Sequence, residues 1–347
     1  MTARSATGPA GDSAAPDRPA SSERLVSLAQ IREAAGRLQG VTLRTPLVAY
    51  GPPERPHFLK AESLQPIGAF KLRGAYNTMA TLDHRDRARG VITYSSGNHA
   101  QGVARAARLL GVHAVIVMPS DAPPIKRARV EQDGAEIVVV GPSSDERQQV
   151  AERLARERGL TVIPPFDDDR IIAGQGTCGL EIVEELPDVA AVLVPIGGGG
   201  LASGVAAAVR ALAPSARIVG VEPELAADAR DSLAAGHIIF WPAELVGRTI
   251  SDGTRTQALG NRTFAHLSAL LDAIVTVSEL EIVAGVRLAA EQSHLVVEPS
   301  GALAIAALTY RAREAGLQGR AGPIVAVASG GNIEPDRYLE YLATPLP

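Results

Sequence analysis

Val192-Leu193-Val194-Pro195-Ile196-Gly197-Gly198-Gly199-Gly200-Leu201-Ala202-Ser203-Gly204-Val205 is the stretch on which the fold turns. Five apolar residues without polar alternation predict a strand buried on both faces. Four glycines then make a turn, and Leu201 to Ala213 follow with a helical, apolar pattern. The uncharged run from Val189 to Val209 has the length of a bilayer span, but Pro195 and the glycines would break a helix at mid-membrane depth. A flexible linker would not be flanked at both ends by elements that read as buried. The remaining reading is chemical: a helix N-terminus presents unpaired N–H groups, and glycines let those groups approach an anion closely. Gly197, Gly198, Gly199 and Gly200 are expected to cradle a phosphate.

The same grammar recurs outward from this point. Val91 to Tyr94 leads into Ser95-Ser96-Gly97-Asn98-His99 and a helical stretch from Ala100 to Leu110. Ile324 to Ala328 leads into Ser329-Gly330-Gly331-Asn332. Further candidate strands are Ala114 to Met118, Glu136 to Val140 and Ile218 to Val221; further helical stretches are Ser144 to Glu157 and Ile282 to Gln292. Apolar strands separated by helices predict an α/β fold of two lobes, with parallel-rich sheets covered on both faces. Charge-rich and proline-rich loops divide it into a large unit (23–88 and 168–347), a small unit (89–167) and a disordered tail (1–22). Ligands of open parallel sheets bind beyond the carboxyl ends of the strands, so the three turns can line one cleft. One rival fits the central stretch alone. Gly197, Gly199 and Ala202 match the G-x-G-x-x-A spacing, with Glu222 closing the next strand, as in an NAD-binding dehydrogenase.

Composition narrows the function. At 347 residues the chain has room for about two domains. A net charge of −4 and 3% aromatic residues offer neither a basic surface nor a stacking platform for nucleic acid. The single cysteine, Cys178, excludes an internal disulfide framework and a cysteine-built zinc site, and fits a cytoplasmic protein. The tail has no apolar run of the kind a secretory signal needs. Of the 34 basic residues only Lys60, Lys71 and Lys126 are lysines, which leaves 31 arginines. Where positive charge is nearly always arginine, a lysine marks a place where an amine is wanted, because lysine can lose its proton and act as a nucleophile.

Lys71 stands in Gly68-Ala69-Phe70-Lys71-Leu72-Arg73-Gly74-Ala75, after Lys60-Ala61-Glu62-Ser63. This segment resembles the lysine segment of the fold-type II pyridoxal-phosphate (PLP) enzymes, and within them the serine/threonine dehydratases and serine racemases. The resemblance runs in order through Ser95 to Gly102, Ala173-Gly174-Gln175-Gly176-Thr177, the tetraglycine, Ser251-Asp252-Gly253, Glu298-Pro299-Ser300-Gly301 and Ser329 to Asn332. Ala69 stands where the family usually has serine, a departure that leaves the chemistry intact.

The resemblance implies specific roles. Lys71 would bond covalently to the cofactor and later serve as the base for the substrate's α-proton. The tetraglycine would hold the phosphate, Asn98 the ring hydroxyl and Ser329 the ring nitrogen, with Phe70 against the ring. Ser95, Asn98 and His99 would meet the substrate carboxylate, joined by Arg147 and Thr256. Ser96 would supply acid or base chemistry on the face opposite Lys71. Glu222, the Ala226 carbonyl and Asp228 would bind Mg2+ or another divalent cation through oxygen, as hard cations require. The implied activity is deamination of a β-hydroxy-α-amino acid, L-threonine or L-serine, to a 2-oxo acid and ammonia. A serine racemase and a 3-hydroxyaspartate dehydratase are the alternatives, the latter with Arg255 facing a second carboxylate. A homodimer is implied. The 15 residues after Asn332 leave no room for the regulatory domain of biosynthetic threonine dehydratases.

Overall fold

Alternate residues of a strand face opposite ways, so a strand apolar at every position must be covered on both sides. The computed structural model describes residues 25–347 apart from 53, 55, 56, 96, 123, 142, 143 and the side chains of 144 and 145. The tail expected over 1–22 lies outside the described residues. Ten strands follow in chain order: β1 (Leu47–Tyr50), β2 (His57–Lys60), β3 (Val91–Tyr94), β4 (Ala114–Pro119), β5 (Glu136–Val140), β6 (Thr161–Val162), β7 (Ala191–Pro195), β8 (Arg217–Pro223), β9 (Ala273–Val277) and β10 (Ile324–Val327). They form a six-stranded sheet in the order β1-β2-β10-β7-β8-β9 and a four-stranded sheet in the order β5-β4-β3-β6. Every pairing is parallel except β1 with β2.

The core sits on both faces of each sheet. Leu193, Val219 and Val221 point to one side of the large sheet, among Ile282, Val286, Leu303 and Ile305. Val192, Val194 and Ile218 point to the other, against Ile182, Leu201, Val205 and Val209. In the small sheet Val91, Ile116 and Met118 meet Ala100 and Val103, while Ile92, Val115 and Val117 meet Ala151 and Leu154. This period-two division is what forces helices onto both faces. All six expected strands are present, and β1, β2, β6 and β9 are added to them. Among the described residues no helix is long and apolar enough to cross a membrane.

The turns at the carboxyl ends of β3, β7 and β10 open toward one another. Two long helices begin there, Asn98–Leu110 after β3 and Gly200–Leu212 after β7. Neither has a side-chain cap, and glycine is the N-cap of both. Their first N–H groups are therefore left for something other than the chain's own side chains.

Candidate active site

A cavity of about 360 Å³ lies where these turns meet. Phe70, Lys71, Ser95, Asn98, His99, Arg147, Gly197, Gly198, Gly199, Gly200, Thr256 and Ser329 all line it. Ser96 lies outside the described residues.

Backbone pairing explains why Lys71 and Ser329 share a wall. Ala69 bridges Gly330 in antiparallel fashion, the Phe70 N–H donates to the Ser329 carbonyl at 3.1 Å, and the Gly331 N–H donates to Gly68 at 2.8 Å. Gly68 has φ +72° and packs against the Asn332 amide, so a side chain there is excluded twice over. The Asn98–Leu110 helix supplies the opposite wall, with Asn98 and His99 in its first turn.

Lys71 is buried with no carboxylate beside it among the described residues. Its Nζ donates to the Pro165 carbonyl at 3.0 Å and lies 5.3 Å from the centre of the Phe70 ring. Burial pulls the ammonium down to about 8, so the neutral, nucleophilic amine is reached close to physiological pH. The tetraglycine is shaped by a neighbour the sequence reading passed over. A Cβ on Gly198 would collide with the Phe166 ring, and Gly199 is left-handed at φ +90°. Phe166 thus packs on the cradle and keeps any larger residue out of it. Its only sequence signal was an aromatic residue beside Pro164 and Pro165 in a chain poor in aromatics.

His99 lies on the cavity wall, in the first turn of the Asn98–Leu110 helix. Its Nε2 faces the Ile163 carbonyl at 3.2 Å, so the proton belongs on that nitrogen. Burial first, and the Lys71 charge second, push the ring down to about 3. Nδ1 is a buried acceptor with no hydrogen-bond partner among the described residues, and the neutral ring has no second N–H. The donors for an anion on that wall are Asn98, Ser95 and the uncapped helix N–H groups. Thr256 Oγ1 is buried with no hydrogen-bond partner among the described residues. Ser329 Oγ donates to the Ser300 carbonyl at 3.3 Å. Arg147 is partly buried at the cavity wall. Arg255 also reaches the cavity, with Nε and Nη2 donating to the Thr249 carbonyl at 2.9 and 2.6 Å.

Glu222, Ala226 and Asp228 are buried at the end of β8 and do not line the cavity. Glu222 accepts from the N–H groups of Ala229 and Arg230 at 3.0 and 2.8 Å. Asp228 has both carboxylate oxygens buried and without hydrogen-bond partners among the described residues. Among the described residues no cluster of three or more histidine, cysteine or acidic side chains that could hold a metal ion is formed.

Behind the lysine segment lies a fully paired set of charges. Arg73 makes a two-pronged contact with Glu62 at 2.8 Å and reaches Glu181 at 2.6 Å. Lys60 donates to Glu181 and to the Thr45 carbonyl, each at 2.6 Å. Burial would raise the Glu62 carboxyl, but Arg73, then Lys60 and Thr45, hold it below the usual range.

The comparisons with known proteins agree with this geometry. The model of the family described as pyridoxal-phosphate dependent enzyme matches residues 38–330. An L-threo-3-hydroxyaspartate ammonia-lyase of a Pseudomonas species is 39% identical over 92% of this chain and 99% of its own. An L-threonine ammonia-lyase of Geobacter sulfurreducens is 44% identical over 88% of this chain and 75% of its own. Among solved structures, maize serine racemase superposes with a TM-score of 0.86 at 37% identity, covering 91% of this chain and 97% of its own.

Proposed function

The chain belongs to the pyridoxal-phosphate dependent enzyme family, and from that premise we propose that it is an ammonia-lyase acting on a small β-hydroxy-α-amino acid. The observation that carries this is Lys71: a buried amine without a counter-ion, across a small polar cavity from a glycine cradle at a helix N-terminus. The NAD alternative falls with the family assignment, and buried Glu222, bonded to Ala229 and Arg230, is turned away from the cavity.

These residues fit the cofactor. The glycines and the uncapped Gly200–Leu212 helix offer N–H groups to its phosphate, Asn98 and Ser329 stand at the wall for the ring, and Lys71 supplies the amine. Pyridoxal phosphate, when bound, supplies an aldehyde carbon for amines and a conjugated ring that draws electrons from the substrate's α-carbon. Ser329 is neutral, which suits elimination better than full delocalisation of a carbanion. The substrate's α-carboxylate is held by Ser95, Asn98 and the N–H groups at the start of the Asn98–Leu110 helix. Lys71 takes the α-proton at Nζ, with the Pro165 carbonyl accepting from the resulting ammonium. Loss of the β-hydroxyl and hydrolysis of the released enamine give a 2-oxo acid and ammonia.

L-threonine and L-serine are the substrates this reading names first. A specific feature favours a second reading: Arg147 and Arg255 both line the cavity, a pairing that suits a second carboxylate and hence 3-hydroxyaspartate. Glu222, Ala226 and Asp228 are assigned to a divalent cation, Mg2+ first. The orphaned oxygens of Asp228 beside a second buried carboxylate support this. The same reading takes the enzyme as a cytoplasmic homodimer with units 23–88 plus 168–347 and 89–167.

The test is 2-oxo acid formation by the cofactor-loaded enzyme across L- and D-serine, L- and D-threonine and the 3-hydroxyaspartate isomers, with chiral analysis of the unreacted amino acid. Turnover of serine or threonine is the expected result. Turnover of hydroxyaspartate alone replaces the substrate. Inversion without 2-oxo acid overturns the lyase reading.

A further inference from the structure

Lys126 is the third lysine, and neither the reaction described above nor the scaffold behind Lys71 uses it. It lies on the Pro124–Gln132 helix, between β4 and β5 of the small sheet. Its Nζ nevertheless reaches Asp252 Oδ2 at 2.5 Å and Glu298 Oε2 at 3.4 Å, both on the large-sheet side. Both carboxylates line the cavity that holds Lys71.

The two partners differ in what they need. Asp252 is a third exposed and can be hydrated, whereas only 2% of the Glu298 side chain meets solvent. No group hydrogen-bonds Glu298 Oε2 among the described residues, so the Lys126 charge is its compensation. Burial drives the Glu298 carboxyl upward and Lys126 opposes it, with Asp252 adding to the rise. Glu298 Oε1 in turn accepts from Asn98 Nδ2, and Asn98 Oδ1 accepts from Asn332 Nδ2 at 2.8 Å. The Asn98 amide is thereby oriented from both ends, with one N–H directed by an anion and the other left for the cavity. Gly330 makes the arrangement possible, since a Cβ there would overlap Glu298 Oε1.

We propose that Lys126 is a positioning residue: its ammonium holds Glu298 as a carboxylate, and through Glu298 it fixes the Asn98 amide toward the bound cofactor. The proposal rests on the pyridoxal-phosphate reading of the cavity. Without the cation, buried Glu298 takes up a proton, and Asn98 loses the anionic acceptor that sets its orientation.

Lys126→Met, Glu298→Gln and the double variant test this in cofactor-loaded protein, through the absorption spectrum of the bound cofactor, its dissociation constant, kcat and KM. The expected result is that Lys126→Met lowers kcat about tenfold and changes KM by less than about twofold. Its spectrum should shift in the same direction as that of Glu298→Gln, and the double variant should match Glu298→Gln. A wild-type spectrum in Lys126→Met overturns the proposal, as does a double variant that loses a further tenfold or so beyond Glu298→Gln. If Lys126→Met alone fails to fold, the double variant still decides, because Glu298 is no longer a buried unpaired charge. A wild-type protein that takes up no pyridoxal phosphate sinks the reading of the cavity itself, a separate failure.

Discussion

Lys60 and Lys71 are buried amines on the same stretch of chain, and they end in opposite surroundings. Lys60 donates to Glu181 and to a carbonyl, in a set where Arg73, Glu62 and Thr45 also have partners. Lys71 has a single carbonyl and no carboxylate among the described residues. The acids divide in the same way. Glu62 is held below the usual range by Arg73 against the effect of burial, whereas Asp228 has no hydrogen-bond partner for either oxygen among the described residues and burial pushes it up to about 7. A buried polar group with every bond made is scaffold, because a reaction would have to break those bonds. One left short of partners is held in readiness for something that is not part of the chain.

The sharpest way to break this comparison is to remove the amine that is left short. Lys71→Ala should lower turnover by about a thousandfold or more and abolish the yellow, borohydride-bleachable cofactor signal, while leaving thermal unfolding close to wild type. An inactive Lys71→Ala protein that is also badly destabilised would put Lys71 in the scaffold. Arg73→Met should do the reverse. Stranding buried Glu62, while Glu181 keeps only Lys60, should cost about 3–5 kcal/mol of stability in denaturant unfolding; an unchanged midpoint would mean that the paired set bears no load.

Two smaller effects sharpen the contrast. Mg2+ at a hundredfold excess over its dissociation constant should raise the melting temperature by about 4 °C, and Asp228→Asn should erase that rise. An identical shift in the variant would locate the cation elsewhere. For Lys71 the effect is one of pH. Burial lowers its pKa to about 8, and only the neutral amine attacks an aldehyde. The rate of pyridoxal phosphate uptake by the cofactor-free protein should therefore rise with pH, be half-maximal near 8 and level off about one to two units above. A rise that continues through pH 10 would mean an amine in water.

Much of this was legible in the chain. Five of the six expected strands are buried almost throughout and write themselves as unbroken apolar runs; β5, at a sheet edge and only partly buried, was found by its run of Ile137 to Val140. β1 and β2 escape that rule because they form the antiparallel edge, where Tyr50, His57 and Lys60 interrupt the pattern. β6 is two residues long, and β9 lies at the opposite edge with mixed burial. In the site, motif order brought Lys71, Asn98, the tetraglycine and Ser329 to one cavity. Phe166 was hidden because a ring packed on glycines has no local pattern of its own. The unused Nδ1 of His99 follows from where the Ile163 carbonyl sits, and no spacing reveals that. Lys126, Asp252 and Glu298 are far apart in sequence and meet only across the two sheets; the scarcity of lysine was the one hint.

The short ladder joining Ala69 and Phe70 to Ser329 and Gly330 has a consequence for how such an enzyme can change. It ties Lys71 and Ser329, the proposed amine and the proposed seat for the ring nitrogen, into one piece of backbone, while Ser95 and Arg147 hang from the other sheet. Variation in the small sheet's loops can retune which side chain is accepted without disturbing the register between amine and ring. On the proposed reading a change of substrate has two places to begin, the loops of the small sheet and the Arg255–Thr256 segment beside the large one, and neither need disturb the ladder.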